Sequence, residues 1–387
     1  MTGTEVLLAY GIKILAGCLY GYIFLHYYEG DDTWMLHSHS LKEKQMLLND
    51  TYRFFWEFTA GTAIRNGHGL IDIVGLYLVD LEYGLQAKSL GIINVLTNGN
   101  YYINTVFWNF FIFWGHYWLF KLLASEFPAK RTFYFILIFF FPPVIFWLSG
   151  IRSDGLLFVS IALLLFYFYH WLSTYRLPSL IICLIGFTGV LIFRPPVAAL
   201  LIPGLISWWL ARRIPRKQIL TFVSVYFVAA IIFFLSTILS SYNIPALVVQ
   251  RQHAFLRLKG SALPLDTLQP TLKSFMAILP QSIINTFVRP FLWEAKGLLQ
   301  VMASLELSFF LGMAIFISLN RAPQWKRIIS NPVILFLFFF GLSLYVFIGY
   351  TIPFPGAIVR YKIVGELFLM AALITLSKRD WFEKKLN

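Results

Sequence analysis

The stretch Tyr28-Glu29-Gly30-Asp31-Asp32 follows the first long apolar run of the chain. Carboxylates at the edge of an apolar segment are costly unless water, a cation or a metal satisfies them. On a regular strand or helix two adjacent aspartates diverge. In an irregular turn after Gly30, one can face a site while the other holds it in place. Asp31 or Asp32 can then act as a general base toward a hydroxyl or an amine, or coordinate a divalent ion such as Mg or Mn. His37 and His39 follow, and H-S-H spacing in an extended segment puts both rings on one side, where Asp32 would complete a metal site. The plainer reading is two ordinary loop histidines.

A second feature is Trp147-Leu-Ser-Gly-Ile-Arg-Ser-Asp154. Asp154 stands where a helix begins, a place that favours an acid on structural grounds alone. Arg152 beside it can pair with Asp154 or bind phosphate. A third feature is a set of basic residues: Arg194 before Pro195-Pro196; Arg251, His253, Arg257 and Lys259; Arg289 in Arg-Pro-Phe-Leu-Trp-Glu294; and Arg360-Tyr361-Lys362. Guanidinium forks match phosphate oxygens bidentately. His253 and Arg257 are four apart and share a helix face. Glu294 can pair with one of these cations. No P-loop, zinc-protease helix or nucleophile-elbow motif is present, so ATP-driven and zincin chemistry have no support.

The elements that must position these residues follow from composition. Of 387 residues, 59% are hydrophobic and 13% charged, against about 25% charged in an ordinary soluble domain. Ten apolar stretches, 5–25, 101–124, 131–149, 155–173, 178–193, 197–211, 219–240, 298–319, 332–350 and 362–377, predict an all-α polytopic membrane protein with about ten transmembrane helices. They are too long and too little alternating for a porin-like barrel. The first run lacks a cleavage signature and reads as a retained helix. Cys18 and Cys183 both lie in apolar runs and read as buried thiols.

The net charge of +13 becomes informative once it is sorted by side. With both termini cytoplasmic, fifteen Lys and Arg fall on that face: Lys121, Lys130, Arg131, Arg176, Arg212, Arg213, Arg216, Lys217, Arg321, Lys326, Arg327, Lys378, Arg379, Lys384 and Lys385. Only Arg152, Arg194, Arg360 and Lys362 fall in the short loops opposite, as the positive-inside rule expects. The acidic pair and the misplaced cations therefore share the outer, periplasmic face. Two long segments lie there as well, 26–100 and 241–297. Within them Leu41–Asn49, Tyr52–Ile64, Leu70–Leu81 and Thr271–Val288 read as amphipathic surface helices, with a turn at Thr97-Asn98-Gly99-Asn100. The chain otherwise reads as a single integral membrane domain, 1–387. Nucleic acid is not an expected partner.

This arrangement resembles the GT-C superfamily of membrane glycosyltransferases. The resemblance rests on Asp31-Asp32 in the first outer loop, on the surface helices after it, and on Phe-Pro-Pro-Val-Ile-Phe-Trp-Leu-Ser-Gly-Ile-Arg-Ser-Asp154 between the third and fourth spans. It covers residues 1–200 by pattern and the remainder by topology, and the chain lacks the soluble C-terminal domain of larger members. It implies a polyprenyl-phosphate-linked sugar as donor, a glycan, lipid or protein acceptor, and a bacterial inner-membrane enzyme working on the periplasmic side. Asp31 or Asp32 would be the base, and Asp154 would orient Arg152 or the sugar. Arg194, Arg289, Arg360 and Lys362 would hold the leaving phosphate. Rival expectations are a surface-polysaccharide polymerase or ligase, a flippase of lipid-linked sugars, and a non-enzymatic membrane subunit.

Overall fold

The computed structural model describes residues 1–57, 70–239, 243–258, 262–295 and 297–378. The end of the aromatic stretch Tyr52–Ile64, Lys259, and the terminal cations Arg379, Lys384 and Lys385 lie outside the described residues. The chain divides into two compact units, Met1–Ala198 and Ala199–Asn387, at a point where composition does not change. Among the described residues it is all-α: seventeen α-helices and no strand.

In the first unit α1 spans Gly3–His26 and opens with a capping box between Thr2 and Glu5. Glu29 and Gly30 both take positive φ, 55° and 81°, which turns the chain sharply into α2, Asp32–Asn49. α3, Thr51–Trp56, follows. The expected surface helix 70–81 is instead the start of a 28-residue helix, α4, Leu70–Thr97. The helix continues because Ala87, Leu90 and Ile93 carry its apolar face onward to pack with Leu36, Tyr101 and Trp108. The turn at 97–100 is present, with Asn98 and Gly99 at positive φ and Asn100 capping α5, Tyr101–Glu126. The stretch 131–149 is not one helix. It breaks at Phe141 into α6, Arg131–Phe140, and α7, Pro142–Trp147. Two consecutive prolines cannot donate to the preceding turn and clash with it, so the helix restarts there. α8 is Ser153–Thr174 and α9 is Leu177–Phe193. α10, Pro195–Arg213, crosses the unit boundary.

Ion pairs mark the two ends of this unit. At one end Arg131 meets Glu5 at 2.7 Å, and Tyr169 donates to Glu126 at 2.7 Å. At the opposite ends of α1 and α7, Asp31, Asp32 and Arg152 come together.

The second unit contains α11 (Gln218–Leu235), α12 (Ile244–Leu256), α13 (Leu272–Phe287), α14 (Leu298–Leu319), α15 (Trp325–Ile329), α16 (Pro332–Thr351) and α17 (Pro355–Leu376). Thus, among the described residues, each of the ten apolar stretches is helical, 131–149 as a broken pair. Five segments among the described residues are long and apolar enough to cross a membrane: Gly3–His26, Ser153–Thr174, Gln218–Ile238, Gln300–Leu319 and Pro332–Thr351. α17 is excluded from that set by the charges of Arg360, Lys362 and Glu366.

Close approach sets one sharp requirement. A Cβ on Gly17 would sit 2.5 Å from Thr105 Cγ2 and 2.7 Å from both Asn109 Nδ2 and the Ser149 carbonyl oxygen. Backbone cannot yield as a flexible side chain does, so Gly17→Ala is expected to destabilise the protein by about 1–3 kcal/mol. Thermal unfolding in detergent measures this. Gly11→Ala, with nothing within 4 Å, is the control and should leave the melting temperature the same or slightly higher.

Candidate functional site

Asp31 is the N-cap of α2, its Oδ1 accepting from the Thr33 amide at 2.9 Å. Asp32 is the first helical residue, so the pair sits at a capped helix start and not in an irregular turn. Both aspartates meet one guanidinium. Arg152 donates through Nη1 to Asp31 Oδ2 and through Nη2 to Asp32 Oδ2, each at 2.5 Å. Its Nε lies 3.8 Å from Asp154 Oδ2. Asp154, in the first turn of α8, also meets Arg194 at 3.4 Å, and Arg194 reaches Glu82 on α4 at 3.5 Å. The chain of charges runs Asp32–Arg152–Asp154–Arg194–Glu82, with Asp31 beside it.

Four side chains from α1, α2 and α5 hold the loop that carries Arg152. Lys13 Nζ donates to the Leu148 carbonyl and to Ser149 Oγ, both at 3.0 Å. Asn109 donates to the Ser149 carbonyl at 2.9 Å. Thr33 Oγ1 donates to the Ile151 carbonyl at 3.0 Å and meets the Tyr101 hydroxyl at 2.8 Å. Tyr20 lies against Gly150, where a Cβ would be 2.7 Å from the ring, and accepts from Arg152 at 3.4 Å. Trp34 stacks on Tyr101 at 4.1 Å and donates to the Gly21 carbonyl, tying α2 to α1 and α5.

Of the two roles expected of Arg152, pairing with Asp154 or binding phosphate, these contacts supply the first and add Asp31 and Asp32 to it. Arg152 is 8% exposed and committed to carboxylates, which leaves it no fork for phosphate. Burial works against its charge, but Tyr20, Asp154, Asp31 and Asp32 together carry its pKa above the ordinary arginine value. Among the described residues the guanidiniums of Arg152 and Arg194 meet four carboxylates, those of Asp31, Asp32, Asp154 and Glu82. The two aspartates also separate in role. The Asp31 side chain is 20% exposed and uses both oxygens, while Asp32 is 69% exposed.

The metal set does not assemble. On a helix, residues two apart point about 200° apart. His37 turns to Asn104 at 3.4 Å, and burial lowers its pKa. His39 bonds to the Tyr83 hydroxyl. Burial, then the charge of Asp32, raises the Tyr83 pKa, which keeps that phenol protonated. Among the described residues no group of three or more His, Cys, Asp or Glu could hold a metal ion.

Between α4 and α9 lies an apolar groove of about 500 Å³, lined by Leu85, Ile181, Leu184, Ile185, Thr188, Gly189, Ile192 and Phe193. Leu85 is one helical turn from Glu82, and Phe193 precedes Arg194. The groove therefore ends beside the charge chain.

In the second unit the expected cations are distributed among several contacts. Arg251 lies over the Phe255 ring at 5.6 Å and Arg360 over Tyr361 at 4.7 Å, and those two rings meet edge to face at 6.4 Å. Arg360 also donates to the Tyr361 hydroxyl at 2.9 Å. Arg257 is the exposed C-cap of α12, one turn from His253. Arg289 pairs with Glu294 at 3.0 Å. Lys362 is corrected outright: it is 1% exposed and pairs with Glu366 at 3.4 Å, so it presents no charge to an outside phosphate. Sequence reasoning missed Glu82, Glu306 and Glu366. The last two carried a usable signal, since an acid inside an apolar helix is rarely idle.

Removing one member of a buried charge pair typically costs about 3–5 kcal/mol. Arg152→Ala should cost that much, because Asp31, Asp32 and Asp154 would then face one another. Arg152→Lys should recover less than half, since an ammonium cannot fork. Chemical unfolding measures both, and an exposed pair, Arg53–Glu57, gives the contrast: Glu57→Gln should leave the midpoint unmoved.

No protein-family model, curated protein or solved structure matches this chain.

Proposed function

We propose that the chain is a polytopic membrane glycosyltransferase that moves a sugar from a polyprenyl-phosphate donor to a hydroxyl-bearing acceptor, with Asp32 as general base. The observation that carries this reading is Asp32 itself: a carboxylate open to solvent on one side, fixed on the Arg152 fork on the other, at the end of a charge chain that borders an apolar groove.

The membrane reading draws on the apolar helices. Gln218–Ile238 has a mean hydropathy of 2.5 with 11% of its most apolar window buried inside the protein. Such a surface is stable only against lipid. We read all ten apolar helices as spanning, the third as the broken pair α6–α7, and both termini as cytoplasmic, following the charge asymmetry. Asp32 then faces the periplasm.

In the proposed reaction the isoprenoid tail occupies the groove lined by Ile181, Ile185 and Leu85, which places the phosphate at Arg194. The ion pairs of Arg194 with Asp154 and Glu82 are long, 3.4 and 3.5 Å, and a phosphate oxygen, a stronger acceptor at closer range, can displace them. Asp32 accepts the proton of the acceptor hydroxyl as that oxygen attacks the anomeric carbon. The sugar–phosphate C–O bond breaks, and polyprenyl phosphate leaves with the electron pair. A single in-line displacement inverts the anomeric centre. Positive charge grows on the sugar ring in such a transition state, and the carboxylates grouped around Arg152 stabilise it. Asp31 and Asp154 are positioning residues that hold Arg152.

A positioned general base contributes about 10²–10⁴-fold. Asp32→Asn should therefore lower transfer from a polyprenyl-phosphate sugar by at least about 10²-fold, with a smaller loss of melting temperature than Asp31→Asn, since the Asp32 side chain is 69% exposed and that of Asp31 20%. Asp31→Asn should lower transfer and stability together, since it keeps the cap but removes the charge that holds Arg152. Undiminished transfer by Asp32→Asn would overturn the base assignment. Labelled lipid crossing vesicles without any glycosidic bond formed would assign the chain to flipping instead.

A further inference from the structure

One end of the second unit gathers exposed cations that transfer at Asp32 does not use. Trp208, near the end of α10, lies 5.3 Å from Phe336, and Phe222, near the start of α11, lies 5.5 Å from Phe339. Both partners belong to the first half of α16, which Asn331 caps. The Ala322 amide donates to the Leu376 carbonyl at 2.8 Å, and the Lys378 amide to the Asn320 carbonyl at 3.1 Å. The ends of α10, α14 and α17, the starts of α11 and α16, and the short α15 therefore come together. Here the chain places Arg213, Arg216, Lys217, Arg321, Lys326 and Arg327, all exposed. No Asp or Glu occurs in residues 199–265 or 307–365. The charge asymmetry of the loops reads this end as cytoplasmic.

Tryptophans hold two of these cations. Arg213 lies over Trp209 at 4.4 Å and Arg321 over Trp325 at 4.4 Å, with the Lys326 ammonium 5.9 Å from the second indole. A guanidinium held against a ring has one face covered, and its N–H groups lie in the plane of the fork, where phosphate oxygens bind side by side. Tryptophan itself favours the headgroup level of a bilayer. The neighbours of the cations are apolar and exposed: Ile214 follows Arg213, Ile219 and Leu220 follow Lys217, and Leu319 precedes Arg321. Nucleic acid or an acidic peptide would leave that apolar rim facing water. A lipid with an anionic head and acyl chains covers both. The positive-inside rule asks only for charge, and in the first unit Arg131 is engaged by Glu5 at 2.7 Å; the stacks on Trp209 and Trp325 add a fixed geometry. We propose that these six residues form a binding surface for anionic phospholipid headgroups, with one phosphate at Arg213 and one at Arg321. The inference rests on the membrane reading and not on glycosyl transfer.

The full chain is placed in nanodiscs of phosphatidylcholine with a minor share of phosphatidylglycerol, and native mass spectrometry counts the lipids it retains on release. Expected is phosphatidylglycerol enriched over its share of the disc. Arg213→Gln combined with Arg321→Gln should lower that enrichment by about tenfold or more. Arg176→Gln, at a lone exposed cation of the first unit, should leave it unchanged. The unaltered protein suffices if the double variant fails to fold: an inserted chain that retains phosphatidylglycerol no better than phosphatidylcholine would overturn the proposal. Enrichment unchanged in the folded double variant would do the same. Displacement of the lipid by inorganic phosphate, but not by chloride at equal ionic strength, would make this a free-phosphate site instead, and displacement by short RNA would make the partner nucleic acid. A chain that enters neither pure phosphatidylcholine nor mixed nanodiscs would overturn the membrane reading, and this inference with it.

Discussion

One guanidinium organises the first unit. Arg152 reaches Asp31, Asp32 and Asp154 at once, and these three acids begin two separate helices, α2 and α8. Without a shared cation, two helix starts carrying like charges would repel. With it, the acids draw the elements together. Arginine suits this position because its planar fork offers parallel N–H groups to two carboxylates, and because it stays charged when buried.

Such a fork is useful only if its backbone is fixed. The loop Leu148–Arg152 follows a helix that Pro142 has already broken, so it has lost the support of a continuous span. Lys13, Asn109 and Thr33 replace that support by binding its carbonyls. Gly17 and Gly150 let α1 approach closely enough to do so. A buried lysine on an apolar helix, and a glycine opposite a carbonyl, thus serve a residue that neither touches. The consequence is asymmetry between the two aspartates. Asp31 is consumed by the cap and the fork, while Asp32 keeps one side for solvent.

Much of this was legible in the residues. Apolar runs of span length became helices because nothing in them favours another state, and Asp154 marked a helix start as its position required. The acidic pair was legible as chemistry but not as geometry, since no local pattern says that Arg152, 120 residues on, will meet both acids. Phosphate binding was read from basic residues counted alone, yet Arg152, Arg289 and Lys362 are held by acids, while Arg194 meets Asp154 and Glu82 at the longer distances of 3.4 and 3.5 Å and is the cation proposed to take the phosphate. The H-S-H pair was misread because an extended segment was assumed where Asp31 caps a helix. In the second unit Glu306 and Glu366 were passed over, although charge inside an apolar helix is costly and marks a site wherever it is retained.

The two units carry different electrostatics. The first concentrates negative charge at a solvent-facing carboxylate beside an apolar groove. The second buries the Lys362–Glu366 pair away from solvent. The proposed function rests on the first of these, and the position of a bound donor tests it most directly. The decisive measurement is a density map of the protein in nanodiscs containing a polyprenyl-phosphate hexose. Expected is an isoprenoid tail between Leu85 and Ile185, the phosphate at Arg194, and the anomeric carbon open toward Asp32. A bound donor that leaves this groove empty and lies away from Asp32 would contradict the proposed function.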